Sequence, residues 1–167
     1  MPRKLQLALI VAIALVIVKA KAQHEHNDAQ HQHDAALSQR GAQVMGFSQE
    51  KTTHHFKLNQ DGGVIEARAN DLKDAATLGE IRGHFQHIAK MFAAGDFNAP
   101  MLVHAQNVPG TAAMSRLKDA IHWQMQEIPR GARISIIADN QEAVDAVHDF
   151  LRFQIEDHKT GDCEMVR

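Results

Sequence analysis

Histidine is the residue type with the greatest capacity for chemistry in this sequence. The chain has 167 residues, of which 12 are His, 7 are Met and only 1 is Cys. Neutral imidazole is a good ligand for copper, nickel and zinc. A single thiol excludes a disulfide framework, CxxC redox chemistry and a multi-thiolate zinc site. The composition therefore favours metal binding through imidazole and thioether groups.

Four histidines are concentrated in a polar segment near the N-terminus. Ala, Gln and Asp separate them, and the segment has few large apolar residues, so we predict a flexible tail over residues 23–42. A flexible chain can fold several imidazoles around one ion, and we expect this tail to bind copper, nickel or zinc in solution. The alternative is a merely hydrophilic tail. The tail candidates are His24, His26, His31 and His33.

Other candidates lie in the segment predicted to fold. His54 alternates with apolar residues on a predicted strand and so points inward. His84, His87 and Met91 follow one line of a predicted helix, where a thioether beside two imidazoles favours copper. We predict that His54, His84 and His148 converge. The alternative for His54 and His148 is a core imidazole held by a hydrogen bond, and for His84 and His87 it is a polar helix edge. The folded candidates are His54, His84, His87, Met91, His104 and His148.

These side chains are positioned by elements that the hydrophobic periodicity predicts. Residues 52–58 and 64–69 alternate as the strands of a hairpin, and residues 71–94 follow a helical pattern. A connection with an extended piece at 101–103 precedes a second helix over 111–127, with Trp123 opposite its apolar stripe. A strand at 134–137 and a helix over 140–157 complete the order β-β-α-α-β-α. We expect an α+β domain over 43–160, with a mainly antiparallel three-stranded sheet and three helices on one face.

The two ends of the chain are predicted to lie outside this domain. A basic start, an apolar run over residues 5–18 and the small residues Ala20 and Ala22 predict a cleaved signal peptide over 1–22. Cleavage removes four basic residues and no acid, which changes the net charge from −2 to −6. An exported acidic protein without a membrane anchor follows, and nucleic acid is excluded as a partner. Residues 161–167 form a short polar tail, with Cys163 an incidental exposed thiol.

Several segments resemble a family of small exported proteobacterial proteins. They are MGFSQEKTTHHF over 45–56, the turn at 61–63, IAKMFAAGDF over 88–97, APMLVH over 99–104 and HDFLRFQI over 148–155. The resemblance implies one exported, periplasmic domain and no particular activity. Similar sequences can carry a carbamoyltransferase label, but the phosphate loop and His-Pro-x-Gln motif of that enzyme are absent here.

No catalytic signature accompanies the histidines. The sequence has no Gly-x-Ser-x-Gly elbow, Walker loop, dinucleotide fingerprint or His-Glu-x-x-His helix. A noncovalent haem with His and Met axial ligands stays open, whereas covalent c-type haem is excluded. We therefore predict a periplasmic metal-binding protein for copper sequestration, delivery or sensing, with zinc or nickel less favoured. The alternative is a module that binds another envelope protein and whose histidines are structural.

Overall fold

The computed structural model describes residues 24, 25, 27, 28 and 30–167. The predicted signal peptide and His26 lie outside the described residues. The chain divides into two units, Met1–Ala36 and Leu37–Arg167. In the first unit the described residues are helical. The flexible tail over residues 23–42 stays a prediction.

The second unit contains four strands and five helices. Two short 3-10 turns, Gln49–Lys51 and Lys118–Ala120, precede β1 and β3. The strands are β1 (Thr52–Asn59), β2 (Gly62–Ala69), β3 (Ile121–Ile128) and β4 (Gly131–Ala138). The helices are α1 (residues 37–45 in this unit), α2 (Ala75–Ala93), α3 (Asn98–His104), α4 (Thr111–Arg116) and α5 (Gln141–Asp157).

The α+β class is confirmed, but the predicted three-stranded sheet with three helices is wrong. The sheet has four antiparallel strands in the order β1-β2-β4-β3. The error arose in the segment predicted as the second helix, which ends at Arg116. Ile121 and Met125 fit the helical spacing, but Ile121, Trp123 and Met125 also alternate as a strand does. A turn at 129–130 before Gly131 lets residues 121–128 pair with β4. This pairing makes the segment a strand and not a helix.

Two smaller predictions also change. Residues 101–103, expected to be extended, lie in the helix α3. Pro100 is the third residue of α3, where its missing N–H is not needed by the first helical turn. Trp123, expected on an exposed helix surface, lies on β3 and packs against Phe92 and Phe97, with ring centroids 5.0 and 6.0 Å away.

The long helices α2 and α5 pack on the same face of the sheet. Helix α2 contacts β3 and β4, and α5 contacts β1 and β2. Asp74 and Asn140 cap these helices by accepting hydrogen bonds from the N–H groups of Thr77 and Ala143, each at 3.0 Å. The core lies between the helices and the inward residues of the strands, with Phe85, Leu58, Ile81, Ile134, Ile136, Leu151 and Val147 almost completely buried.

The opposite face of the sheet is polar around one buried carboxylate. Glu66 is 1% exposed, and its Oε2 accepts a hydrogen bond from Arg133 Nη2 at 2.7 Å. Arg68 pairs with the other carboxylate oxygen. Burial by itself raises the pKa of Glu66, but the bonds from Arg133 and Arg68 outweigh it and lower the pKa on balance. The arginine side chains thus cover the middle of this face.

The sheet unites two hairpin-helix halves that are related by a pseudo-two-fold axis. Strands β1 and β3 begin 69 residues apart, and so do β2 and β4. Ile65 pairs with Ile134, which is its own counterpart at the same separation, so the axis passes between these two residues. In the helices the separation is 66 residues, as the capping residues Asp74 and Asn140 show. This internal repeat is not recognisable in the sequence, because only three positions of the two hairpins carry the same residue.

Side chains at equivalent positions confirm the relation between the halves. Arg82 of α2 donates to the carbonyl oxygens of Ile128 and Gly131, at 3.2 and 3.5 Å. His148, its counterpart in α5, has Nε2 2.9 Å from the carbonyl oxygen of Asn59 and 3.1 Å from that of Gly62. Each helix therefore bonds, through one side chain, to the carbonyl oxygens at the turn end of the hairpin in the other half.

We predict opposite effects for two Gly→Ala substitutions. A Cβ at Gly131 would collide with the carbonyl oxygen of Ala67 on the neighbouring strand, whereas one at Gly83 of α2 meets nothing within 4 Å. Gly131→Ala should lower the free energy of unfolding by about 2 kcal/mol or more. Gly83→Ala should raise it by about 0.5–1 kcal/mol through helix propensity. Urea denaturation of both variants measures the difference, and equal effects would contradict the close approach of β2 and β4.

Candidate functional site

A small cavity lies between the sheet and the helices and has several histidines in its wall. Its volume is about 70 Å³, enough for an ion or a few waters. Among the described residues, no carboxylate, Lys or Arg lines it. The wall is formed by Val44, Met45, His54, Phe56, Ile65, His84, Phe85, Ile88, Phe92, Ala99, Pro100, Val103, His104, Phe150, Gln154 and His158.

His54 of β1 faces this cavity because it alternates with the buried residues Phe56 and Leu58. Its ring packs against Phe47 and Phe56, with centroids 5.9 and 6.5 Å away. The Nε2 atom is buried and has no hydrogen-bond partner among the described residues. An unpaired buried nitrogen costs about 1–3 kcal/mol, so this atom requires an explanation.

His158 and His84 bring two further imidazoles to the same wall. His158 caps the C-terminal end of α5, and its ring centroid lies 5.9 Å from that of His54. Burial lowers the pKa of His54 and of His84 to about 4 each, and that of His158 to about 3, and the neighbouring imidazoles add to each effect. All three rings are therefore neutral at pH 7, the form in which imidazole binds metal.

His104 is held differently from these three. It is 3% exposed at the end of α3, with Nδ1 2.6 Å from Asp157 Oδ2 and Nε2 3.1 Å from Gln154 Oε1. Both ring nitrogens are thus engaged. The ring meets that of His158 edge-on, with centroids 5.0 Å apart, so the Asp157–His104 pair supports the position of His158. The Nε2 of Gln154 is buried and lacks a partner within the described part of the chain.

The positions related to the three histidines by the pseudo-two-fold axis are occupied by aromatic residues. The counterparts of His54, His84 and His158 are Trp123, Phe150 and Phe92. Phe92 lies 5.0 Å from Trp123 and 6.2 Å from Phe150 between ring centroids, which reproduces the contact of His158 with His54. Each of the three imidazoles therefore has a Phe or Trp ring at the position related by the pseudo-two-fold axis, and of these rings only Trp123 has a polar atom, Nε1, which is buried without a partner among the described residues.

The structure brings together only part of the predicted folded site. His54, His84 and His104 line the cavity, but His148 lies away from it and bonds the carbonyl oxygens of the β1–β2 turn, as the alternative for a core histidine predicted. His87 is exposed on α2, and Met91 is half-buried outside the cavity wall.

Three cavity residues were missed as site candidates. His158 and Gln154 belong to the inward side of α5, and the spacing of His158 from Leu151 and Ile155 continues the predicted apolar stripe. That continuation is the signal that identifies His158. Met45, at the end of α1, has no such signal because its place depends on how α1 packs.

The described tail histidines lie on helical backbone. His24 Nε2 is 3.5 Å from Asp28 Oδ2, one turn further along, and both side chains are exposed. His31 and His33 are two residues apart, so a helix points them to opposite sides. As long as this backbone is helical, these two imidazoles do not share an ion.

Comparison with known proteins assigns no function to this site. No protein-family model, curated protein or solved structure matches the chain. Among the described residues, no group of three or more His, Cys, Asp or Glu side chains has the arrangement of a metal site. In the same part of the chain, no helix is sufficiently long and apolar to cross a membrane. The cavity is also far below the usual size of a pocket for an organic ligand, so it does not fit a haem.

The buried imidazoles predict a loss of stability in acid. Their pKa values in the folded protein lie below the ordinary value of 6.5, so the unfolded chain binds more protons between pH 6.5 and about 4. The free energy of unfolding should therefore fall as the pH drops through this window. His54→Phe should remove on the order of 3 kcal/mol of this pH dependence. Urea denaturation between pH 4 and 7 measures it, with His87→Gln on the exposed side of α2 as the control. An unchanged slope in His54→Phe would refute a buried neutral His54.

Proposed function

We propose that this protein is an exported metal-binding protein and that the histidine-lined cavity is its folded site, with copper the favoured metal. The observation that supports this proposal most directly is the buried Nε2 of His54, which faces the cavity without a partner in the described chain. The neutral rings of His84 and His158 lie in the same wall, and Met45 adds a thioether. A metal ion would satisfy the unpaired nitrogen, and imidazole with thioether is a ligand set suited to copper.

The duplicated architecture supports a ligand rather than packing as the reason for these imidazoles. If the core needed only ring-shaped groups here, Phe and Trp would supply them, as they do at the positions related by the pseudo-two-fold axis. Imidazoles lose hydration on burial and gain little in return unless something binds their nitrogens. We infer that the ligand supplies the compensating interaction.

Export completes the proposal. The basic start, the apolar run and the Ala20-x-Ala22 pattern are typical of a signal peptide, and the resemblance favours a periplasmic location. Sequestration, delivery or sensing of copper in that compartment requires a binding site and no catalytic group. The tail histidines would give a second, weaker set of ligands.

The alternative is an interaction module for another envelope protein whose histidines are structural. One observation favours it, since no described group of three side chains already has metal-site geometry. In that case the imidazole rings fill the core, and metal content is incidental. The two proposals differ in what substitution of His54 does to metal affinity.

Titration of the purified protein with Cu(I), Cu(II), Zn(II) and Ni(II) tests the proposal. A variant with His24→Asn, His26→Asn, His31→Asn and His33→Asn in the full chain removes the tail ligands and leaves the cavity intact. This variant should still bind copper with a dissociation constant below about 1 μM. Binding of no metal at that level would overturn the folded site and favour the interaction module.

We predict that substitutions of His54 and His148 separate metal binding from stability. His148→Ala should lower the free energy of unfolding by about 1–3 kcal/mol, because two carbonyl oxygens lose their donor, and should leave copper affinity unchanged. His54→Phe should keep the fold and abolish tight copper binding. Competition with a chromophoric copper chelator, paired with urea denaturation, measures both quantities. Equal loss of copper affinity in the two variants would argue against the cavity as the site.

A further inference from the structure

The two outer strands of the sheet differ in what covers their free edge. The C-terminal segment of the chain covers β1, whereas β3 has no such cover in the described part of the chain. We propose that β3 is the surface through which two copies of this chain form a dimer, by antiparallel pairing of β3 with β3 of the second copy. This inference goes beyond the proposed function and does not depend on metal binding.

The C-terminal segment satisfies backbone groups of β1 that point away from β2. Asp162 Oδ2 accepts a hydrogen bond from the N–H of Phe56 at 2.9 Å, and the N–H of Arg167 donates to the carbonyl oxygen of Leu58 at 3.1 Å. Unpaired backbone groups along an edge strand are a template for pairing with another chain. The C-terminal segment therefore closes the edge of β1 to a second chain.

The segment equivalent to this cover takes a different course beside β3. Asp96 is the counterpart of Asp162 at the helix separation of 66 residues, and the glycines before them, Gly95 and Gly161, have φ values of +79° and +73°. Asp96 accepts a hydrogen bond from the N–H of Asn98 at 2.9 Å and does not bond to the strand. The chain then continues into α3, so the pseudo-two-fold relation ends at this point.

The free backbone groups of β3 belong to alternate residues. Because a two-residue turn joins β3 to β4, Ile128 and Gly131 form a hydrogen-bonded pair, and every second residue from there bonds to β4. Trp123, Met125 and Glu127 therefore direct their N–H and C=O groups away from β4. Within the described residues, these outward groups form no hydrogen bond.

Strand β3 also lacks the features that block pairing at an edge. Its eight residues, IHWQMQEI, include no Pro or Lys, and they pair with β4 in an unbroken register without a bulge. The carboxylate of Glu127 is balanced by Arg82 of α2, whose Nη1 lies 3.0 Å away. Gln124 and Gln126 are uncharged and exposed. The strand therefore presents an open and nearly neutral edge.

The pattern of β3 is complementary to itself when the strand runs antiparallel. A two-fold axis at Met125 places Trp123 opposite Glu127 of the second copy, so every outward backbone group of these three residues finds a partner. The same axis separates the two Glu127 carboxylates, which are the only Asp or Glu side chains of the paired strands. On the outer face of the sheet, Gln124 faces Gln126 of the second copy, where their amides hydrogen-bond.

Sedimentation velocity of the purified protein tests the dimer. EDTA and a reducing agent are present, so neither a bridging metal ion nor a disulfide of Cys163 contributes. An interface built from one strand pair is small, and we therefore expect a dissociation constant of about 10–100 μM.

Amide hydrogen exchange measured by NMR locates the dimer on the chain. Exchange at Trp123, Met125 and Glu127 should slow by about 3-fold or more when the protein concentration rises from about 10 to about 500 μM, because pairing buries these amides. The amides of Gln124 and Gln126 bond to β4 in monomer and dimer alike. Their exchange should not depend on concentration, which makes them the internal control.

Substitutions of the exposed glutamines test the register. Gln124→Lys with Gln126→Lys places like charges opposite each other and should raise the dissociation constant by about 10-fold. Gln124→Lys with Gln126→Glu places opposite charges there and should restore dimerisation. Gln86→Lys with Gln106→Lys, at exposed positions of α2 and the loop after α3, is the matched control and should leave the dimer unchanged.

Three results would overturn the proposal. The first is a protein that stays monomeric at about 500 μM, well above the expected dissociation constant. The second is a dimer in which the amides of Trp123, Met125 and Glu127 exchange equally fast at both concentrations, since such a dimer uses another surface. The third is a dimer that the opposite-charge combination does not restore, because its axis does not lie at Met125.

Discussion

The antiparallel pairing of β2 with β4 is the interaction on which the rest of this structure depends. It joins two hairpins across Ile65 and Ile134 and so creates one four-stranded sheet with a pseudo-two-fold axis. The pairing requires the backbones to approach closely at the turn ends of both hairpins. Gly62 and Gly131 stand at equivalent positions there, and a Cβ at either would meet a carbonyl oxygen of the facing central strand. Gly62 also has a φ of +145°, a conformation that favours glycine.

This pairing determines where the long helices lie. Each helix follows its own hairpin in the sequence but crosses to contact the strands of the other half. Arg82 and His148 stabilise this crossed arrangement of the helices by hydrogen bonds to the carbonyl oxygens at the turn end of the other hairpin. The core between helices and sheet is therefore built from both halves, and so is the cavity, since His54 belongs to one half and His158 to the other.

In the cavity wall, the packing of imidazole rings is opposed by the hydration that these rings lose on burial. Phe rings fill the space beside Trp123, whose Nε1 is buried without a partner among the described residues, whereas the equivalent space beside His54 contains imidazoles whose pKa values are lowered by burial. Asp157 and Gln154 offset this loss for one imidazole, since Nδ1 of His104 lies within hydrogen-bond distance of Asp157 and Nε2 within that of Gln154. His54 has no such compensation in the described chain, which makes its Nε2 the atom that points most directly to a ligand.

The sequence by itself determined the features that depend on neighbouring residues. The alternation around His54, the turn after Asn59, the cap at Asn140 and the apolar stripes of α2 and α5 all follow local periodicity and hydrogen bonding. The start of α2 does not, since the helix begins at Ala75 and not at the predicted residue 71. It also placed His54 and His84 on inward surfaces. Local pattern failed over residues 111–128, because apolar residues there satisfied helical and strand spacing together, and only pairing with β4 chose the strand.

Convergence of distant side chains was decided by the tertiary structure alone. Periodicity shows which face of a helix or strand is buried but not which residues that face contacts. His148 and His158 lie on the same inward side of α5, so periodicity could not show which of them lines the cavity. The end of α5 that carries His158 meets His54, while His148 lies about three turns earlier, against the β1–β2 turn. The internal repeat was likewise not recognisable from the sequence, because different side chains can pack equally well on the same backbone arrangement in the two halves.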